Sequence, residues 1–256
     1  MTTEPEYIDP VKPAFRWSFS QWETYNGCPA KWNFGSRMKL PRSPAGAAAQ
    51  RGLDLHDRVE HYIKKDVGVE ELLAAGPAVR EGIEFQRAQV ARKYIPILDE
   101  FRNHPNGDVY TEKKLAFDSG WYLCPPVSKF ASCVGVLDAA RFTRRRNVDD
   151  GMLEIGEWKS GKPKDTHADQ RKLYAMFGMK TWMADEVRVT TYYLEDTAPP
   201  ERVVLKTMAG FHKLAALWDN RIHTMQRDSI CAPRPSWTCR FCDYAKDKGG
   251  PCQFGG

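Results

Sequence analysis

Two carboxylates and a lysine in the middle of the chain have the types and spacing of a metal-dependent hydrolytic site. Asp138 follows the apolar run from Cys133 to Leu137, and Glu157 and Lys159 stand two positions apart further along. Carboxylate oxygens on adjacent strands suit Mg²⁺ or Mn²⁺. A lysine beside them can activate water or offset charge on a phosphate. The pattern predicts phosphodiester hydrolysis, although an isolated Glu-x-Lys is more often a solvated ion pair.

Three further residues fall where they can join this site. His56 lies one helical turn after Gly52, and an imidazole ligand favours Mn²⁺ over Mg²⁺ because nitrogen is the softer donor. Gln170 and Tyr174 are four residues apart and share one helix face. From there they can steady the lysine or a substrate phosphate. The ordinary alternatives are a structural histidine, a core tyrosine and a solvent-exposed glutamine.

One apparent nucleotide motif is rejected. Gly156 to Lys162 mimics the phosphate loop G-x-x-x-x-G-K, but Pro163 stands where a Mg²⁺-binding hydroxyl is required. Glu157 inside such a loop would also repel phosphate. We therefore predict that the chain has no ATP site.

Four of the cysteines form a second pattern. Cys239, Cys242 and Cys252 lie near the end of the sequence, and Cys28 supplies a fourth thiolate. Such a set holds Zn²⁺ or an iron–sulfur cluster, and the residues alone favour zinc without deciding. Ligation would join the N-terminal helices to the C-terminal segment. Nearby aromatic residues are expected to shield the site from water: Trp32, Trp237, Phe241, Tyr244 and Phe254.

Apolar periodicity and turn signals predict the elements that position these residues. Residues 1–17 are expected to form a flexible arm, and Ser18 or Ser20 to cap a helix that runs to about Phe34. Further helices are predicted over 45–65, 77–101, 166–184 and 209–227, and strands over 109–117, 131–143, 152–158, 187–194 and 202–207. This order indicates an α/β fold with a mixed central sheet flanked by helices. We predict one domain over 18–256, with a helical region (18–105), an αβββαβ-type core (106–208) and a C-terminal helix with the cysteine segment (209–256).

The composition is that of a mildly basic globular protein. Hydrophobic residues make up 42% of the chain and charged residues 28%, with a formal net charge of +5. This balance permits a polyanionic partner without requiring one. No apolar run is long enough to span a membrane and no signal peptide is visible, so we expect a cytoplasmic location and no membrane partner. The candidate DNA-binding cations are Arg144, Arg145, Arg146 and Lys162, although a charged hairpin tip is usually only solvated.

Taken together, the motifs resemble the RecB-type branch of the PD-(D/E)xK nuclease superfamily. The chain is most similar to the CRISPR-associated and phage-borne Fe–S exonucleases and to the nuclease domain of the AddB subunit. Six motifs carry the resemblance, in the family's order: Tyr25-x-x-Cys28-Pro29, Gly52-x-x-x-His56, Gly135-x-x-Asp138, Glu157-x-Lys159, Gln170-x-x-x-Tyr174 and Cys239-x-x-Cys242 with Cys252.

The resemblance implies a role for each residue. His56, Asp138, Glu157 and the Trp158 carbonyl would bind the catalytic Mn²⁺ or Mg²⁺, with Lys159 catalytic. Gln170 and Tyr174 would form the family's last motif and belong to the same catalytic set. The four cysteines would hold a [4Fe–4S] cluster, in place of the zinc that the residues alone favour.

The resemblance also implies a substrate and a setting. Members act on DNA ends, often single-stranded, so we expect a metal-dependent exonuclease of recombination, repair or CRISPR-related processing in a bacterial or phage-infected cell. Some members form rings, which makes a homo-oligomer an option, and a helicase or recombination protein is a further candidate partner. Two alternatives remain: a non-catalytic DNA-binding or adaptor protein, which would have lost a ligand or the lysine, and a restriction-type endonuclease, which would need a separate recognition region.

Overall fold

The computed structural model describes residues 16–44, 46–74, 91–105, 108–144 and 151–255. The strands are β1 Trp17–Ser18, β2 Val109–Phe117, β3 Leu123–Cys124, β4 Cys133–Arg144, β5 Gly151–Lys159, β6 Glu186–Tyr193 and β7 Glu201–Leu205. The α-helices are α1 Phe19–Gly27, α2 Pro29–Trp32, α3 Ala47–Ile63, α4 Val69–Leu73, α5 Ile95–Arg102, α6 Thr166–Trp182 and α7 Met208–Arg227. A π-helical turn covers Asn33–Arg37, and 3₁₀ turns cover Trp237–Phe241 and Lys246–Lys248.

The strands form one mixed sheet, as the sequence predicts. Their order is β3-β2-β4-β5-β6-β7, and β1 pairs in parallel with β4. β4 runs antiparallel to both β2 and β5, whereas β5 and β6 are parallel. A parallel pair needs a crossover, and α6 supplies it between β5 and β6. The five strands predicted along the sequence are present in this sheet, and β1 and β3 are additional.

Helices cover both faces of this sheet. On one face, α1, α6 and α7 enclose a core that includes Leu137, Phe177 and Trp218. On the other face, α3 and α5 pack against Ala139 and Trp158. The sheet is therefore a central layer between two apolar interfaces, which is the α/β arrangement that the sequence predicts. None of the helices in the described part of the chain has the length and apolar character of a membrane span.

The first helix is shorter than predicted. Ser18 caps α1 and its side chain accepts a hydrogen bond from the Gln21 N–H, as expected. However, Cys28 adopts an extended conformation with φ −155° and ψ 104°, so the helix ends at Gly27 and α2 begins at Pro29. The prediction of a continuous helix to Phe34 is wrong. Proline fits the first turn of a new helix, because no N–H partner is needed there.

The helix predicted over 77–101 is described only in its last part. Residues 75–90 lie outside the described residues, as do most of the predicted arm and the hairpin tip at 145–150. α5 begins at Ile95, and Tyr94 just before it is buried, as is Phe101 near its end.

The N-terminal helices contact the end of α7. The Tyr25 hydroxyl donates to Asp228 Oδ2 at 2.9 Å. The Arg37 guanidinium donates to the carbonyls of Gln226 at 2.9 Å and Asp228 at 2.8 Å. The last carbonyls of a helix have no partner inside the helix, so Arg37 satisfies two acceptors that α7 leaves open.

Candidate active site

Asp138 and Glu157 meet where β4 and β5 lie side by side. The last residue pair of the β4–β5 ladder on this side is Ala139 opposite Gly156. One step further, the Trp158 N–H donates to Asp138 Oδ2 at 2.7 Å. Asp138 therefore fixes the end of the ladder as well as carrying a carboxylate into the site. Both acidic side chains are buried, with Glu157 only 3% exposed.

Side chains of β5 and α6 donate hydrogen bonds to Glu157. Its Oε1 accepts hydrogen bonds from Lys159 Nζ at 2.6 Å and Gln170 Nε2 at 2.7 Å. Gln170 Nε2 also lies 3.2 Å from the Tyr174 hydroxyl. Within the described part of the chain, Glu157 Oε2 is buried and has no hydrogen-bond partner. The sequence-predicted residues of β5 and α6 are thus in direct contact, and one carboxylate oxygen is left open.

Packing between α6 and the sheet brings Gln170 and Tyr174 to this place. Phe177 lies on the same helix face as Tyr174 and packs over Gly135, where a Cβ atom would come within 2.6 Å of the Phe177 ring. Gly178 lies against β5 and β6, and a Cβ there would come within 2.5 Å of Leu153 Cδ2. The glycine of Gly135-x-x-Asp138 therefore makes room for the helix that carries the glutamine and tyrosine.

His56 reaches the site from the opposite face of the sheet, on α3. Its Nδ1 lies 3.4 Å from Asp138 Oδ1. Gly52, one turn earlier, lies so close to β5 that a Cβ would stand 3.3 Å from Ser160 Oγ. Arg51 Nη2 pairs with Glu195 Oε1 at 2.6 Å and anchors the same helix to the segment after β6. These two neighbours of His56 hold α3 close enough for the imidazole to reach Asp138.

Glu112 on β2 is a member of the site that sequence reasoning missed. One ligand atom each from His56, Glu112 and Asp138 lies within 4.8 Å of the others, so the three could hold a metal ion. Glu112 stands opposite Asp138, since Thr111 pairs with Ala139 and Lys113 with Leu137. Its φ of 46° is a left-handed conformation that costs a residue with a Cβ about 1 kcal/mol or more.

The Trp158 carbonyl faces the same gap between strands. The Lys159 carbonyl accepts from the Leu194 N–H at 2.8 Å, on the β6 side. Because successive residues of a strand direct their backbone groups to opposite sides, the Trp158 carbonyl is directed toward β4. Its side chain is buried and stacks on Tyr192 with ring centroids 5.1 Å apart. The indole is therefore a packing element, and only its backbone faces the carboxylates.

Comparison with known families agrees with this geometry. The sequence matches the PD-(D/E)XK nuclease superfamily over residues 16–246. The chain belongs to this superfamily. No curated protein sequence matches it.

Three solved structures are similar to this nuclease at low identity. SSO0001 has 13% identity and a TM-score of 0.37, and the match covers 93% of this chain and 86% of that chain. A candidate exonuclease from Eubacterium rectale has 13% identity and a TM-score of 0.43, with 94% of this chain and 92% of that chain covered. LHK-Exo in complex with dAMP has 13% identity and a TM-score of 0.37, with 82% of this chain and 88% of that chain covered.

The acidic residues of the candidate site repel one another. Burial and, next, the nearby Asp138 carboxylate raise the pKa of Glu157 from 4.5 to about 7, although Lys159 and His56 act to lower it. Partial desolvation and the charge of Asp138 also raise the pKa of Glu112. Carboxyl groups that resist ionisation together are those that a divalent cation would stabilise most, because the cation removes the repulsion.

The two basic groups respond in the opposite way. Burial alone would lower the pKa of Lys159, but the charges of Glu157 and Asp138 outweigh it and raise that pKa. Burial would likewise lower the pKa of His56, and the hydrogen bond and charge of Asp138 raise it overall. Lys159 is therefore held as a cation, suited to stabilising negative charge rather than to accepting a proton.

His167 at the start of α6 is a second buried group that the sequence did not indicate. Its Nδ1 lies 3.1 Å from the Tyr193 hydroxyl and 3.3 Å from the Lys164 N–H. Burial and the charge of Lys159 lower its pKa to about 4. A neutral imidazole there fixes the loop that follows Lys159.

Two of the four predicted DNA-binding cations lie within the described residues, and their role stays a prediction. Arg144 is exposed, with its Nε 3.9 Å from Asp108 Oδ2, and Lys162 is exposed on the loop after β5. Arg145 and Arg146 lie outside the described residues.

The four cysteines of the second pattern line one pocket. Cys28, Cys239, Cys242 and Cys252 surround it together with Phe34, Tyr244 and Phe254, among others. The segment after Cys242 folds back at Gly250, where a Cβ would lie 2.3 Å from the Tyr244 carbonyl carbon. This turn brings the Cys252 N–H to the Tyr244 carbonyl at 2.9 Å.

Two of the expected shielding residues do not cover this pocket. Trp237 and Phe241 are 71% and 64% exposed. The prediction that they shield the cysteines is wrong, because these two side chains of the 3₁₀ turn are directed into the solvent, whereas Cys239 of the same turn lines the pocket. Phe34, which the sequence did not single out, lines the pocket instead and packs against Tyr244 with ring centroids 5.5 Å apart.

Proposed function

We propose that this protein is a divalent-metal-dependent DNA exonuclease that hydrolyses phosphodiester bonds at DNA ends and acts on single strands. One observation carries the proposal: Glu157 has a buried Oε2 with no partner, next to Asp138 and beside a lysine that stays cationic. A buried carboxylate oxygen without a donor costs free energy unless a ligand satisfies it. Exonucleolytic action on single strands rests on the resemblance of the motifs.

The residues present fit a hard divalent cation. His56, Asp138, Glu157 and the Trp158 carbonyl would hold Mn²⁺ or Mg²⁺, with Glu112 as an additional acidic ligand at the same place. Oxygen donors dominate the set, and the single imidazole favours Mn²⁺. When bound, the cation polarises the phosphate and lowers the pKa of water.

The chain's own groups complete the chemistry. Lys159 places a positive charge where negative charge develops on the phosphate. Gln170 holds Glu157 Oε1 by a hydrogen bond of 2.7 Å, which directs the other oxygen away from α6. With both carboxylates and the lysine intact, the non-catalytic alternative has no support in the sequence. The pathway remains a proposal: recombination, repair or CRISPR-related processing, as a homo-oligomer or with a helicase partner.

We also propose that the four cysteines hold a [4Fe–4S] cluster. All four thiols line one pocket, and the resemblance of the motifs favours a cluster, in which each thiolate binds a different iron, over a single Zn²⁺. Absorbance near ~400 nm in protein purified without oxygen would support the cluster, and stoichiometric zinc in colourless protein would exclude it.

The nuclease proposal is tested with end-labelled linear and closed circular single-stranded DNA in Mn²⁺. We expect the wild type to degrade the linear strand and spare the circle, and Lys159→Ala to be inactive. Lys213→Ala is the matched control, because Lys213 is an exposed lysine on α7 with no assigned role in the site and should retain activity. An active Lys159→Ala variant would refute the site assignment, and cleavage of the circle would replace exonuclease by endonuclease.

A further inference from the structure

An exposed aromatic cluster lies on the 3₁₀ turn between the pocket cysteines. The ring centroids of Trp237 and Phe241 are 6.1 Å apart with an interplanar angle of 88°. The Arg240 guanidinium carbon lies 5.3 Å from the Trp237 ring and 4.8 Å from the Phe241 ring. We call Trp237, Arg240 and Phe241 the aromatic platform.

The exposure of this platform is unusual within the chain. All eight tryptophans fall within the described residues, and Trp237 is the only one that is exposed. Leaving an aromatic side chain in water forfeits about 1.5–3 kcal/mol relative to burying it. A cluster of two such rings is therefore expected to have a partner.

A side-chain cap and a backbone hydrogen bond, rather than the rings, hold the turn in place. The Ser236 hydroxyl accepts from the Thr238 N–H at 3.3 Å, and the Cys242 N–H donates to the Cys239 carbonyl at 2.9 Å. Cys239 and Cys242 in turn line the cysteine pocket. The platform is thus a preformed surface on an anchored turn, whose side chains do not support the fold.

The charges around the platform favour a polyanion. Residues 231–252 contain four cations, Arg234, Arg240, Lys246 and Lys248, and two carboxylates, Asp243 and Asp247. Bases of an unpaired strand stack on aromatic rings and on arginine planes, and the phosphates between them are attracted by nearby cations. A duplex hides its base faces, so this chemistry selects single strands.

We propose that the aromatic platform stacks unpaired bases of single-stranded DNA. The inference deepens the proposed function, because it assigns the choice of strand type to named side chains outside the metal site. DNA bases are the proposed occupant of the platform, and the experiments below distinguish them from a second copy of the chain or a protein partner.

The first test measures binding of a fluorescent oligothymidylate of 20 nucleotides by fluorescence anisotropy, without added divalent metal. Loss of one stacked base weakens binding by about 5-fold, so Trp237→Ala and Phe241→Ala should each raise Kd by about 5-fold and the double variant by about 30-fold. Binding of a duplex should change little. Tyr122→Ala is the matched control, because Tyr122 is 66% exposed on a different segment, and it should bind like the wild type.

Salt dependence separates stacking from charge. Removing uncharged rings should leave the slope of log Kd against log salt unchanged. Arg240→Gln should reduce that slope by about 0.7, as expected for one lost cation on a single strand. Equal weakening of single-stranded and duplex binding in the double variant would overturn the proposal, since stacking on exposed faces cannot act on a duplex.

A small chromogenic phosphodiester, thymidine 5′-p-nitrophenyl phosphate in Mn²⁺, separates this inference from the nuclease proposal. The platform variants should hydrolyse it like the wild type. A wild type that binds oligothymidylate but hydrolyses neither single-stranded DNA nor the chromogenic phosphodiester would refute the nuclease proposal and leave the platform proposal intact. Wild-type affinity in the double variant would refute the platform alone. A wild-type oligomer that dissociates in the double variant would show that the rings bind a second copy instead, which also overturns it.

Discussion

Removing the Glu157 charge is predicted to stabilise the metal-free protein at neutral and alkaline pH. Burial and Asp138 raise the pKa of Glu157 from 4.5 to about 7. Between these values the folded state keeps a proton that the unfolded state has lost, so the free energy of unfolding falls as pH rises. The shift corresponds to about 3 kcal/mol, at 1.36 kcal/mol per unit. The loss is complete above about pH 7.

Glu157→Gln removes this pH-dependent loss while keeping the hydrogen-bond acceptor for Gln170 and Lys159. The assay is urea unfolding in EDTA at several pH values from 5 to 8.5. Across that pH range, we expect the free energy of unfolding of the variant to fall by up to about 3 kcal/mol less than that of the wild type. His56, whose pKa is also raised, adds a loss of the same sign, so some slope remains.

The control is a carboxylate on the other side of the same strand. Glu154 pairs with Arg141 at 2.6 Å on β5, and Glu154→Gln should keep the wild-type slope because Glu157 is intact. Mn²⁺ at pH 8 should stabilise the wild type strongly and Glu157→Gln weakly, which reverses their order. Identical pH slopes for wild type and Glu157→Gln would refute the inferred repulsion between Glu157 and Asp138.

Three further perturbations test separate parts of the structure. Cys242→Ser should lower the melting temperature by several degrees and bleach any cluster colour, because ligand binding contributes folding free energy. Calorimetry and absorbance check it, and an unchanged melting temperature and colour would remove Cys242 from the ligand set. Gly178→Ala places a Cβ 2.5 Å from Leu153 Cδ2 and 2.9 Å from Val187 Cγ1, so it should cost about 1–3 kcal/mol in urea unfolding. Glu112→Gln should weaken Mn²⁺ binding about 10-fold by calorimetric titration, and an unchanged Kd would remove Glu112 from the site.

The long periodic elements could be predicted from the sequence. β2 has the predicted bounds, Val109–Phe117, and α6 ends within two residues of its prediction. Alternation and helical periodicity are local properties, so they are visible without knowledge of the fold. β1 and β3 were missed because a two-residue strand has no periodicity to detect.

Parts of the candidate site could not be predicted, because they depend on contacts between distant segments. Glu112 looks like an ordinary charged strand residue beside Lys113 and Lys114, and only the register of β2 against β4 sets it opposite Asp138. Trp237 and Phe241 lie next to cysteines in the sequence, but the 3₁₀ turn directs them into solvent. Nearness along the chain does not determine which way a side chain faces.

The contacts between Arg37 and the end of α7 can form only after nearly the whole chain has been synthesised. The residues joined by the Arg37–Asp228 hydrogen bond are 191 positions apart in the sequence. At about 5–20 residues per second, a ribosome needs about 10–40 s to make the intervening chain. During that time Trp22, which is buried against Trp218 of α7 with ring centroids 4.9 Å apart in the finished protein, lacks this partner. The first helices to leave the ribosome are thus among the last to reach their final packing, and this interval is when the nascent chain is most exposed to aggregation.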